Sequence, residues 1–111
     1  MKTIRLPLTQ IRTEMQFLLD HVHDIEMMQH DKVVRYAVER SFTIIGEATK
    51  RIPEEERVKY PSIPWQEMAG MRDRVVHEYD EIDLNVIWKT IQNDIPSVLP
   101  EIDRILEDDT L

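Results

Sequence analysis

The chain has 111 residues, enough for one domain (1–111) with a single modest core. At 41% hydrophobic and 32% charged residues it is too apolar to be disordered, and the absence of cysteine excludes disulfides, thiolate zinc sites and cysteine nucleophiles. Net charge is −8, from 22 acids and 14 bases, which excludes a generic nucleic-acid binder with a broad basic face: any RNA contact has to be local, and acidity suits a basic protein partner equally well.

The N-terminal "MKTIRLPLTQ" carries no apolar signal core, and no apolar run reaches the length of about 18 residues that a spanning helix needs, so a cytoplasmic protein is expected. Only two glycines occur, leaving tight β-turns almost no raw material, and helices are favoured throughout. Leu8, Ile11, Met15, Leu18, Val22 and Ile25 alternate steps of three and four, which predicts one amphipathic helix from Pro7 to about Met28. "QHD" is the turn after it, and Asp31 is the N-cap of a second helix from Lys32 to about Arg51. There Val34, Val38, Ser41, Ile45, Ala48 and Ile52 form the inward seam, and Gly46 and Ala48 are small enough to let a neighbouring backbone come close. Residues 31–51 hold five bases (Lys32, Arg35, Arg40, Lys50, Arg51) and three acids, a local excess of two positive charges.

Pro53, Pro61 and Pro64 punctuate a connector in which "PEEER" can form one helical turn. A third helix follows to about Val76, with Trp65, Met68 and Val75 or Val76 facing the core. Asp83 reads as the next N-cap, and Leu84, Trp88, Ile91, Ile95, Val98, Ile102 and Ile105 mark one apolar face. Pro96 interrupts that face at a cost of ~3 kcal/mol in a helix interior, so a break is expected near Asn93–Asp94, with Asp94 recapping a last helix. The sum is an all-α, antiparallel four- to five-helix bundle. Its seams are regular enough for helices to pair between subunits, which predicts a homodimer, although a monomer core could also consume both.

The chemistry-bearing stretch is "MRDRVVHEYDEID", residues 71–83. Arg72 and Tyr79 fall within ~20° of each other on an ideal helix, whereas His77 lies ~140° from Arg72. One straight helix therefore does not aim both at one point: the helix ends early, or a second subunit supplies half the site. Asp73 and His77 are spaced i,i+4, so the carboxylate can hold one imidazole nitrogen and orient the ring. Cleaving an RNA phosphodiester requires a proton taken from the 2′-hydroxyl and one returned to the leaving oxygen, work that histidine can do near neutrality without a metal or cofactor. A guanidinium can stabilise the charge on the phosphoryl oxygens, and a tyrosine can contact phosphate. The same residues equally fit a charged helix end. Glu47, among apolar neighbours, is an ion-pair candidate for Arg40 or Arg72. His21 and His23 lie ~200° apart on a helix and cannot share a metal. His30 suits the helix dipole, and Trp65, Trp88 and the six methionines read as core.

Arg72, His77 and Tyr79 reproduce an R-x4-H-x-Y signature. With "IIGEA" (44–48), "YPSIPW" (60–65), Gly70, "DLNVIW" (83–88) and "DIP" (94–96), residues 41–99 resemble HepT-like proteins of the HEPN superfamily almost throughout. The resemblance implies a helical homodimer in which Arg72 and His77 of two subunits share one cleft. It also implies a metal-independent endoribonuclease, the toxin half of a type II/VII-like toxin–antitoxin module, with Asp73 and Glu47 in support. The partner would be a small MNT-type nucleotidyltransferase antitoxin that silences the toxin by AMPylation of Tyr79. The alternative is a non-catalytic, nucleotide-binding or partner subunit of a nucleotidyltransferase complex, which the −8 charge and the acids around His77 suit.

Overall fold

A computed structural model describes residues 3–76, 84–108 and 110. His77, Tyr79 and the expected cap Asp83 lie outside the described residues. All regular structure among those described is helical: α1 (Arg5–His21), α2 (Ile25–His30), α3 (Lys32–Lys50), α4 (Glu54–Arg57), α5 (Trp65–Ala69), α6 (Met71–Val76), α7 (Leu84–Lys89) and α8 (Ile95–Leu106), with a π-helical segment, Thr90–Asp94, joining the last two.

Helix α1 is the spine of the bundle. Its inward residues Leu8, Ile11, Met15 and Leu18 are buried, each adding ~1.5–3 kcal/mol by leaving water. Along one flank it runs antiparallel to α3, where the buried Ser41 hydroxyl donates to Glu14 Oε1 at 2.8 Å. Along the other it runs antiparallel to α8: the Arg5 guanidinium donates to the Leu106 carbonyl at 3.2 Å, and Arg12 Nε to Asp103 Oδ1 at 2.5 Å. Phe42, Ile45, Ile91, Ile95 and Ile102 close the same core.

The first helix does not run on to Met28. It stops at His21, and Asp24 starts α2 by accepting a hydrogen bond from Met27 N–H at 2.9 Å. Val22 and Met28 remain buried across the break, so the apolar spacing reads straight through a point where a side-chain carboxylate competes successfully for the backbone. Asp31 caps α3 as its position predicts, accepting from Val33 N–H at 2.9 Å and Val34 N–H at 3.3 Å. The far end of α3 is closed by Arg57 of α4, whose guanidinium donates to the Thr49 carbonyl at 2.8 Å and the Ile52 carbonyl at 2.9 Å.

The expected break at Asn93–Asp94 is absent. Asp94 has helical angles (φ −75°, ψ −47°) and makes no side-chain cap. Instead the backbone widens: Ile95 N–H reaches the Thr90 carbonyl, five residues back, and Pro96 enters at the start of α8, where an N–H is not needed. The apolar face therefore continues unbroken from Ile87 to Ile105. The expected third helix is two short ones, α5 and α6, meeting at Gly70. Trp65 anchors the first, its indole N–H shared between the carbonyls of Tyr60 at 3.0 Å and Arg57 at 3.1 Å.

Candidate functional site

Arg72 stands at the start of α6, where that helix crosses α3. The crossing depends on Gly46. A Cβ built there would lie 2.7 Å from the Arg72 backbone nitrogen, 3.0 Å from Arg72 Cβ and 3.3 Å from the Ala69 carbonyl oxygen. Only a residue without a side chain lets the α6 backbone come this near. The next residue along α3 is Glu47, and its Oε1 forms an ion pair with Arg72 Nε at 3.1 Å. The close approach thus places the guanidinium directly over its carboxylate partner. Of the two ion-pair partners that the sequence offers Glu47, the structure selects Arg72.

Asp73 lies on the other side of the same guanidinium, Oδ1 at 3.8 Å from Nη1. Both contacts are partly exposed: Arg72 retains 39% of its side-chain accessibility and Glu47 60%. As surface pairs they contribute little to stability, ~0–1 kcal/mol. Their consequence is orientation. A carboxylate beside Nε draws the guanidinium toward α3 by charge, while the group's N–H donors remain available to a further acceptor. The expected contact of Asp73 with His77, and whatever Tyr79 touches, lie outside the described residues.

Arg72 and Glu47 open into a cleft of about 520 Å³ on the outer face of α3. Arg40, Lys50 and Arg51 line it with Arg72, so among the described residues four of the protein's 14 basic residues meet a single acid, Glu47. Ile44 and Ala48 form an aliphatic floor, and Arg51 donates from Nη2 to Gln10 Oε1 of α1. Sequence reading registered the basic excess of residues 31–51 but did not gather these side chains into a site. The available signal was the spacing 40, 44, 47, 51, which falls within ~60° of one helix face.

A second cavity of about 490 Å³ lies between α5, α6 and α8. Arg74 points to it and donates from Nη1 to Thr90 Oγ1 at 3.2 Å. Its lining has Glu67, Asp94 and Glu101 against that one arginine, a poor environment for phosphate. The two arginines flanking Asp73 therefore serve different surfaces. His21, His23 and His30 are exposed, with the His21 ring 4.8 Å from that of Phe17. No three His, Cys, Asp or Glu side chains among the described residues are grouped so as to hold a metal. No helix among them is long and apolar enough to cross a membrane.

Comparison with known proteins gives a consistent picture. The family described as "Ribonuclease HepT-like" matches residues 11–105. A "Putative RNase" of Caldanaerobacter subterraneus subsp. tengcongensis is 42% identical over 109 residues, covering 96% of this chain and 97% of that one. A "Putative RNase" of Methanocaldococcus jannaschii is 36% identical over 112 residues, covering 93% of each. A "Probable ribonuclease HepT" of Thermococcus cleftensis is 45% identical over 75 residues, 68% of each chain. No solved structure matches the chain.

Proposed function

The chain belongs to the HepT-like ribonucleases, and we propose that it cleaves RNA without a metal ion, at a cleft completed by a second copy, as the toxin of a two-gene module. Arg72 neutralises charge on the phosphoryl oxygens as it builds, with Glu47 paired to the guanidinium from α3. His77 takes the proton from the 2′-hydroxyl as its oxygen bonds to phosphorus, and an imidazolium returns a proton to the departing 5′-oxygen. The products are a 2′,3′-cyclic phosphate and a 5′-hydroxyl end. A single imidazole cannot hold both protonation states at once, so two copies sharing one cleft, each bringing an Arg72 and a His77, satisfy the chemistry more simply than one. Asp73, four residues before His77, orients the ring.

The observation that carries this reading is the placement of Arg72: brought onto α3 by the side-chain-free surface of Gly46, held by Glu47, and facing a cleft in which cations outnumber acids. Silencing follows from the same electrostatics. An adenylyl phosphate added to Tyr79 by an MNT-type nucleotidyltransferase partner puts negative charge and bulk two residues from His77, where substrate phosphate has to lie.

The test is cleavage by His77→Ala and Arg72→Gln proteins with chelator present throughout. Loss of cleavage in both, with helical content unchanged and with cyclic-phosphate ends on the products of the unaltered protein, is expected. Full activity in His77→Ala removes the imidazole from the mechanism. If unmodified protein leaves RNA intact while still accepting AMP on Tyr79, the non-catalytic partner-subunit reading takes its place.

A further inference from the structure

We propose that Arg40, Lys50 and Arg51 form a phosphate-binding track that carries the RNA strand along the outer face of α3 to Arg72. This rests on the reading of Arg72 as the scissile-phosphate site and assigns the residues that bind the flanking backbone. Three observations support it.

The first is concentration. In a protein of net charge −8, these three side chains and Arg72 line one cleft where, among the described residues, Glu47 is the only acid and is already engaged by Arg72. Among the described residues Arg40, Lys50 and Arg51 have no ion-pair partner, and all three are exposed.

The second is that helix capping does not explain them. Cations at the last turn of a helix are commonly there for its unpaired carbonyls. Here Arg57 reaches back from α4 to serve the Thr49 and Ile52 carbonyls, which leaves Lys50 and Arg51 available to the cleft. Arg40 sits mid-helix, where the dipole offers no reason for a cation at all.

The third is geometry. Arg40 and Arg51 are separated by ~16 Å of helix rise, more than one phosphate can bridge, so the row is matched to a strand rather than to a single anion. Gln10 holds Arg51 from the neighbouring helix, and Ile44 gives the aliphatic floor a ribose can rest on. Gathering four of the 14 basic residues in one groove of a net-acidic protein gives RNA a local site of attraction.

The experiment measures binding and cleavage separately in the full chain. Binding of a short unstructured RNA is followed in a His77→Ala background over a range of salt, with Arg40→Gln, Lys50→Gln and Arg51→Gln introduced singly and together. Arg104→Gln, distant on α8, controls for the loss of one charge. Three lost phosphate contacts should lower the slope of log affinity against log salt by ~2 for a single strand, with affinity near 0.1 M salt falling at least about tenfold. In the His77 protein the triple variant should raise KM by a similar factor and leave kcat within about twofold. An unchanged slope and KM in the triple variant, or an equal effect from Arg104→Gln, overturns the track. Failure of the Arg72 reading is distinguishable: cleavage then persists in Arg72→Gln whatever the track variants do to binding.

Discussion

Gly46→Ala is the sharpest perturbation of the proposed site, because it adds one methyl group and alters no charge. The new Cβ would stand 2.7 Å from the Arg72 nitrogen and 3.0 Å from its Cβ, contacts made by backbone and by the root of a side chain rather than by a flexible tip. Relief therefore requires α6 to move away from α3. Overpacking of this kind costs ~1–3 kcal/mol, and alanine recovers ~0.5–1 kcal/mol of that through its helix propensity. A net loss of about 0–2.5 kcal/mol is expected, read as a shift of the denaturant midpoint at constant slope. The effect on cleavage should be larger. Displacing a group that positions the reacting phosphate by ~1 Å can cost ~100-fold in rate, and α6 carries Arg72 with it. Gly70→Ala is the control: its Cβ would meet only the Glu67 and Gln66 carbonyl oxygens, at 3.5 and 3.6 Å, ordinary contact distances. That variant should be as stable as the parent or slightly more so, and fully active. If Gly46→Ala matches Gly70→Ala in both midpoint and cleavage rate, the crossing is not tight and glycine does not position Arg72.

Glu47→Gln should change stability by less than ~1 kcal/mol, since the pair it breaks is half-exposed, while lowering the cleavage rate through a less restrained guanidinium; an unchanged rate would show that Arg72 needs no partner. Asp31→Ala removes the acceptor for Val33 and Val34 N–H and should cost ~1 kcal/mol in chemical denaturation, with cleavage rate at saturating RNA preserved. Leu18→Ala, at a fully buried position of α1, should cost ~2–5 kcal/mol; a loss below 1 kcal/mol would mean that this part of the core repacks freely.

The helical class, the inward seams and the Asp31 cap were legible because each rests on local chemistry or on a period of 3.6. The departures share a physical origin. At residues 22–24 the apolar spacing continues while the backbone breaks, and at Pro96 the spacing continues because the backbone widens instead of breaking. Periodicity reports which side chains face inward, and is blind to how the main chain meets its hydrogen bonds between them. Of the candidate site, Arg72 and Glu47 were legible as chemistry and Gly46 as a small residue. Their meeting was not, because it is a contact across 25 to 26 positions of sequence, created by the crossing of α6 on α3.

If the proposed track is correct, α3 has two functions on opposite faces. Val38, Ser41, Phe42, Ile45 and Thr49 are buried against α1 and the rest of the core, while Arg40, Glu47, Lys50 and Arg51 remain in solvent. Gly46 lies between the two sets and is buried by α6 rather than by the core. Substitutions on the outer face should therefore change RNA binding with little change in stability, and those on the inner face the reverse. Position 46 alone should affect both, since it couples the packing of the bundle to the placement of the guanidinium. An acidic helical protein can in this way gather attraction for a polyanion in one groove without giving up a conventional core.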